Sequence, residues 1–214
     1  MAFLNDETRG QVAEMLSDLP DQVRLLVFTK PAGCQYCDVI TELLTEVAET
    51  SAQVSTEVYD LTVDTEKAAE YRIDKAPAIA LVGAQDYGLR FFGLPSNYEF
   101  STLLHGIQVA GHGAAAHLDA QSKEYLATLD KEVFYQVFVT TSCPHCPPAA
   151  AMAYDMAVTS DLVNAEVVEA QEFPRLSSQN NVMGVPLNVI NRSERVEGHA
   201  PSSQLVAAIK RSLR

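Results

Sequence analysis

Apolar and polar positions follow one another along this chain in an order that occurs twice. In the first half the apolar run Val23-Arg24-Leu25-Leu26-Val27-Phe28 precedes a stretch with Val39, Ile40, Leu43, Leu44 and Val47 at helical spacing. In the second half Val133-Phe134-Tyr135-Gln136-Val137-Phe138-Val139 precedes the Ala- and Met-rich residues 149–158. Each run predicts a buried strand and each stretch a helix. A second strand follows, over 54–60 or 165–169, and a third opens at a proline, Pro77 or Pro186. A last strand ends near Gly93 or Gly198. The closing helix carries Phe100, Leu103 and Leu104 in one half, and Leu205, Ala208 and Ile209 in the other. An acidic helix introduces each half, with Val12, Met15, Leu16 and Leu19 striped for core contact in the first and Tyr125, Leu126 and Leu129 in the second.

Alternating strands and helices predict an α/β chain, and the repeat divides it. Cys34-Gln35-Tyr36-Cys37 and Cys143-Pro144-His145-Cys146 stand 109 positions apart, and Pro77 and Pro186 each lie 40 residues beyond the closing cysteine. A length of 214 residues accommodates two units of about 100. The small-residue segment 110–116 reads as the connection, which places the units at 1–116 and 117–214.

Charge narrows the classes of partner. With 28 acidic against 15 basic residues and a net charge of −13, the chain repels phosphate backbones and anionic lipid surfaces. The longest apolar run, over 76–84, falls far short of the roughly 20 residues of a membrane span. The first residues have no signal-peptide pattern, so the expected location is the cytoplasm. All four cysteines sit in the two motifs, and none remains for a structural staple.

A Cys-x-x-Cys pair where a strand passes into a helix points to redox chemistry. Unpaired N–H groups and the helix dipole stabilise a thiolate on the leading cysteine, Cys34 or Cys143. The trailing cysteine, Cys37 or Cys146, expected about one turn into the helix, then resolves the mixed disulfide. A four-thiolate zinc site is the competing reading. Its usual loop of about 15 to 20 residues contrasts with the long interval between these pairs, so no metal or other cofactor is expected. A cis peptide at Ala76-Pro77 and at Val185-Pro186 would set a backbone edge beside the sulfurs for a substrate strand to pair with. His145, inside the second motif, can stabilise the Cys143 thiolate. His105, His112, His117 and His199 have no ligand spacing and read as solvent-exposed. Pro147-Pro148 removes two donors and is expected to bend the following helix or delay its regular part.

With these landmarks placed, the whole chain resembles the protein disulfide oxidoreductases, or glutaredoxin-like proteins. The resemblance rests on the first motif with Asp38, on Tyr71-Arg72-Ile73-Asp74-Lys75-Ala76-Pro77, on Phe92-Gly93-Leu94-Pro95, on Val137-Phe138-Val139-Thr140 before Cys143, and on Asn181-Val182-Met183-Gly184-Val185-Pro186. It implies two tandem thioredoxin-fold units, each a central mixed β-sheet flanked by helices, with the two sheets joined edge to edge. It further implies reduction, formation and isomerisation of protein disulfides, the second site carrying more of the activity and a thioredoxin reductase supplying electrons. Histidine at 145 departs from the family's usual motif and is similar to that of the thiol oxidant DsbA. A rival reading is a relay for one partner, since similar tandem units open the flavoprotein that reduces bacterial peroxiredoxins. A third is a non-catalytic zinc or chaperone-like module.

Overall fold

The computed structural model describes residues 3–214, in which one eight-stranded mixed sheet carries helices on both faces. The first half runs α1 (Asp6–Met15), β1 (Val23–Thr29), α2 (Cys37–Ala48), β2 (Val54–Asp60), α3 (Thr65–Glu70), β3 (Ala78–Val82), β4 (Leu89–Phe92) and α4 (Glu99–His112). The second repeats the order as α5 (Ala120–Ala127), β5 (Val133–Val139), α6 (Cys146–Thr159), β6 (Val163–Glu169), α7 (Pro174–Gln179), β7 (Leu187–Ile190), β8 (Glu194–Glu197) and α8 (Ser202–Ser212).

The uninterrupted apolar runs follow from burial on both faces. Successive side chains of a strand point to opposite sides, so Leu25 and Val27 enter one core and Leu26 and Phe28 the other. In β5 the same alternation sends Tyr135, Val137 and Val139 one way and Phe138 the other.

The strand order is β2-β1-β3-β4-β6-β5-β7-β8. Within each half the central strand pairs parallel with one neighbour and antiparallel with the other. The halves meet where β4 pairs parallel with β6, Leu89 opposite Ala165 and Phe92 opposite Val168, which is the expected edge-to-edge junction. Because β6 is the counterpart of β2, the second half is stacked on the first by translation. Strands β1 and β5 therefore run the same way, and both cysteine motifs emerge at one end of the sheet.

Several local expectations change. Helix α1 stops at Met15, which is 41% exposed, and Leu16 and Leu19 reach the core from the turn beyond it. Pro20 disfavours helical backbone at Leu19, so the helix cannot run on through that residue. Leu129 likewise lies past the end of α5. The connecting segment is less free than its glycines suggest. Residues 110–112 belong to α4, and a Cβ on Gly111 would sit 2.6 Å from Leu19 Cδ2, so this glycine serves close packing. Only Gly113, at φ 60°, uses glycine's conformational range, as the left-handed cap of α4. Pro147 and Pro148 do not bend α6: they occupy its first turn, where backbone N–H groups have no helical partner to lose.

Candidate functional site

Each motif sits in the turn after a central strand, and the trailing cysteine opens the helix instead of lying one turn inside it. Tyr36 and His145 hold the cap positions, so the leading cysteine is three residues upstream of the first helical residue. The geometry separates two roles. Cys34 and Cys143 are partly exposed, whereas Cys37 and Cys146 are 4% and 0% exposed. Cys34 and Cys37 are joined in a disulfide, and Cys143 and Cys146 are free thiols.

The proline loops stand beside these sulfurs. The Cys143 thiol donates to the Val185 carbonyl oxygen at 3.7 Å, and the peptide bonds Val185-Pro186 and Ala76-Pro77 are both cis. Both loops share a backbone frame. Gly93 N–H donates to the Pro77 carbonyl at 3.1 Å, and Gly198 N–H to that of Pro186 at 2.8 Å. Arg72 and Asn181, each five residues before its proline, adopt φ of 55° and 50°. In the first half a cavity of about 390 Å³ brings together Cys34, Ala76 and Pro77 with Thr141, Glu169 and Glu172 of the second half. The first site is thus walled in part by the other unit.

Sequence reasoning missed three carboxyls near the sites, two of them buried (Glu99 and Glu169) and one half-buried (Glu172). Glu99, at the start of α4, is fully buried; Thr102 Oγ1 donates to its Oε2 at 2.8 Å, while its Oε1 has no partner. Burial, reinforced by the nearby charge of Glu169, pushes the Glu99 carboxyl up to about 7. Glu172 is likewise pushed up to about 7 by burial and the Glu169 charge, although Leu94 N–H donates to its Oε1 at 2.7 Å. Glu169 is raised by burial against three backbone donors. The Cys146 thiol is raised above the ordinary range by burial first, then by its hydrogen bond with Cys143, and further by the charge of Glu99. A carboxyl titrating near neutrality therefore acts on the buried thiol that must lose a proton. The sequence signal was faint: one acid beside Phe100, and another ending the apolar run Val167-Val168.

His145 is exposed and makes no capping hydrogen bond. The expectation of exposure for the remaining histidines fails at His105, which is mostly buried and converges with the exposed His117 on the fully buried Asp155. The sequence could not anticipate this, because the three residues come from α4, the loop between α4 and α5, and α6.

This arrangement defines a thioredoxin-fold protein with two dithiol sites on one continuous sheet. A thioredoxin domain model matches residues 134–210. The thioredoxin of Methanocaldococcus jannaschii is 32% identical over 83 residues, 98% of its own length and 38% of this chain, and the chain belongs to the thioredoxin family. The protein is also similar to the AhpF component of alkyl hydroperoxide reductase from Escherichia coli, at 27% identity over 79% of this chain. It spans only 31% of that relative's length. Among solved structures, a protein disulfide oxidoreductase from Aeropyrum pernix superposes with a TM-score of 0.88 at 25% identity, covering 96% of this chain and 92% of the other. No helix among the described residues is long and apolar enough to cross a membrane.

Proposed function

We propose that the protein is a dithiol-disulfide oxidoreductase that reduces, forms or isomerises protein disulfides through both pairs, with residues 117–214 carrying the more active site. The observation that carries this reading is the placement of Cys143: partly exposed, bonded to the carbonyl preceding Pro186, and backed by the buried Cys146. A substrate strand lying along Val185-Pro186, or along Ala76-Pro77 in the first unit, would present its disulfide to the leading sulfur.

In the reducing direction the Cys143 thiolate attacks one substrate sulfur, breaking the substrate disulfide and releasing one thiolate. Cys146 then gives up its proton, with the Glu99 carboxylate as acceptor. Its sulfur attacks Cys143 Sγ and expels the second substrate thiolate. Two electrons pass to substrate, and the site is left as a disulfide. The first pair, or a thioredoxin reductase acting from outside, returns those electrons. Confinement of all four cysteines to exchange motifs supports action in the cytoplasm, where thiols are kept reduced.

Reduction of insulin disulfides tests the reading, with Cys143→Ser and Cys34→Ser compared against the native chain. No reduction by the native chain would refute it. A second reading is favoured by the likeness to the AhpF component of alkyl hydroperoxide reductase: a relay that passes electrons from a flavoprotein reductase to one peroxiredoxin-type partner. Activity on several unrelated disulfides would argue for the general enzyme, and activity confined to one partner for the relay.

A further inference from the structure

Toward the end of α6 remote from the cysteines, three side chains distant in sequence converge. His105 Nε2 lies 2.9 Å from Asp155 Oδ1, and His117 Nδ1 lies 3.0 Å from Asp155 Oδ2. The candidate ligand atoms are all within 4.8 Å of one another, and the ring centroids are 5.2 Å apart. Asp155 has no exposed side-chain surface, His105 keeps 15% and His117 keeps 57%. The backbone N–H of His117 donates to Oδ2 at 2.6 Å, which fixes the carboxylate in place. Burial would raise the Asp155 carboxyl, yet the hydrogen bonds and charges of the two imidazoles outweigh it and hold the group below its ordinary value.

We propose that His105, His117 and Asp155 bind one divalent transition-metal ion of the zinc class, at a site separate from the cysteines. Two imidazole nitrogens and one carboxylate oxygen form a borderline ligand set suited to zinc. With metal-ligand bonds of about 2.0 to 2.2 Å in a tetrahedral site, the ligand atoms stand roughly 3.4 Å apart. The two nitrogen-oxygen distances here are a few tenths shorter because ring protons join those atoms. The ion takes the place of those protons: in a neutral imidazole the proton moves to the other ring nitrogen, and from an imidazolium it leaves to solvent. Exposure of His117 opens an entry path and leaves a fourth position for water.

The position gives the ion a consequence. His105 belongs to the last helix of the first half, His117 to the loop between α4 and α5, and Asp155 to α6 of the second half, so one ion ties both units together. Asp155 lies nine residues beyond Cys146, roughly 13 Å along the helix axis, which keeps the ion clear of the dithiol.

The test is a cobalt(II) titration of the full chain with both cysteine pairs oxidised, so that no thiolate is free to take up metal. One ion per chain is expected, with visible ligand-field bands of a nitrogen-oxygen site, no sulfur charge-transfer band, and displacement by zinc. Zinc should raise the thermal midpoint in proportion to the logarithm of its excess. His105→Ala and His117→Ala should each weaken binding by more than the roughly 10- to 100-fold lost with an outer-shell partner. His117 is the more exposed of the two, so His117→Ala decides the matter if His105→Ala does not fold. Failure of the native chain to bind cobalt would leave Asp155 as a hydrogen-bonded anchor only and overturn the proposal. Unaltered binding in a folded His117→Ala chain would overturn it equally.

Discussion

Replacing Glu99 by Gln isolates the cost of the buried carboxyls. In the unfolded chain this group titrates near 4.5, and in the folded protein burial moves it up to about 7. Between those two values the folded state holds the proton that the unfolded state has lost, so stability falls as pH rises through the window. At roughly 1.4 kcal/mol per pH unit the full window corresponds to about 3 kcal/mol, a loss complete above pH 7 and absent below pH 4.5. Glu99 has no exposed surface, so solvent screening does not reduce that figure much. Glutamine keeps the shape and cannot ionise. Urea unfolding of the reduced protein at pH 5 and pH 8 should therefore give nearly equal stabilities for the two chains at pH 5, and a variant more stable by about 1 to 3 kcal/mol at pH 8. The same substitution removes the carboxylate proposed above as the proton acceptor for Cys146. Positioned acid-base groups contribute about 10²- to 10⁴-fold, so release of a mixed disulfide from Cys143 should slow by at least about tenfold at neutral pH. A stability difference between the variant and the native chain that is no larger at pH 8 than at pH 5 would refute the electrostatic account. A more stable variant with an unchanged release rate would leave the buried charge real and remove its catalytic part.

Other outcomes follow from the same geometry. Cys143→Ser should abolish most insulin reduction while Cys34→Ser leaves a measurable share; equal losses would exclude a stronger second site. The pair Cys143 and Cys146 should be more oxidising than Cys34 and Cys37, and glutathione equilibration of the double-serine variants would read the gap. A charge-assisted contact separates such couples by about 30 to 60 mV, and the exposure of His145 places the expectation at the lower end. His145→Tyr should close that gap; an unchanged potential would remove His145 from the account. Gly83→Ala should destabilise by at least about 1 to 3 kcal/mol, because the new methyl would sit 1.9 Å from the Ala110 carbonyl oxygen. Gly10→Ala, within α1 with nothing within 4 Å, should instead stabilise by about 0.5 to 1 kcal/mol in a thermal melt.

The sequence carried whatever repeats or alternates. Two buried central strands, the cysteine turns and the proline-led strands were legible because each follows a local rule: two-sided burial makes a strand continuously apolar, and the two halves spell the same rule at the same interval. Helix ends were less legible. Leu16 and Leu19 continue the helical spacing of Val12 but lie in a turn, since position in space decides burial and Pro20 decides where the helix can run. Glycines 106 and 111 look flexible in sequence, yet they let α4 approach Tyr154 and Leu19. The carboxyls Glu99, Glu169 and Glu172 and the convergence on Asp155 were invisible for one reason. Each is assembled across the halves, and nothing in the local pattern reports what the junction of β4 with β6 brings together.

That junction also explains how two near-identical motifs acquire unequal surroundings. A two-fold arrangement of the halves would have given both dithiols the same neighbours. Translation along the sheet instead sets the second unit's Thr141, Glu169 and Glu172 against the cavity of Cys34. From the first unit it sends the Glu99 charge to the buried Cys146. Each dithiol thus has carboxyls of the other half in its surroundings, and those carboxyls are coupled, since the charge of Glu169 raises both Glu99 and Glu172. Directional flow between two sites requires them to differ in potential. In this chain the internal repeat supplies like chemistry twice, and the translational stacking gives the two copies different surroundings.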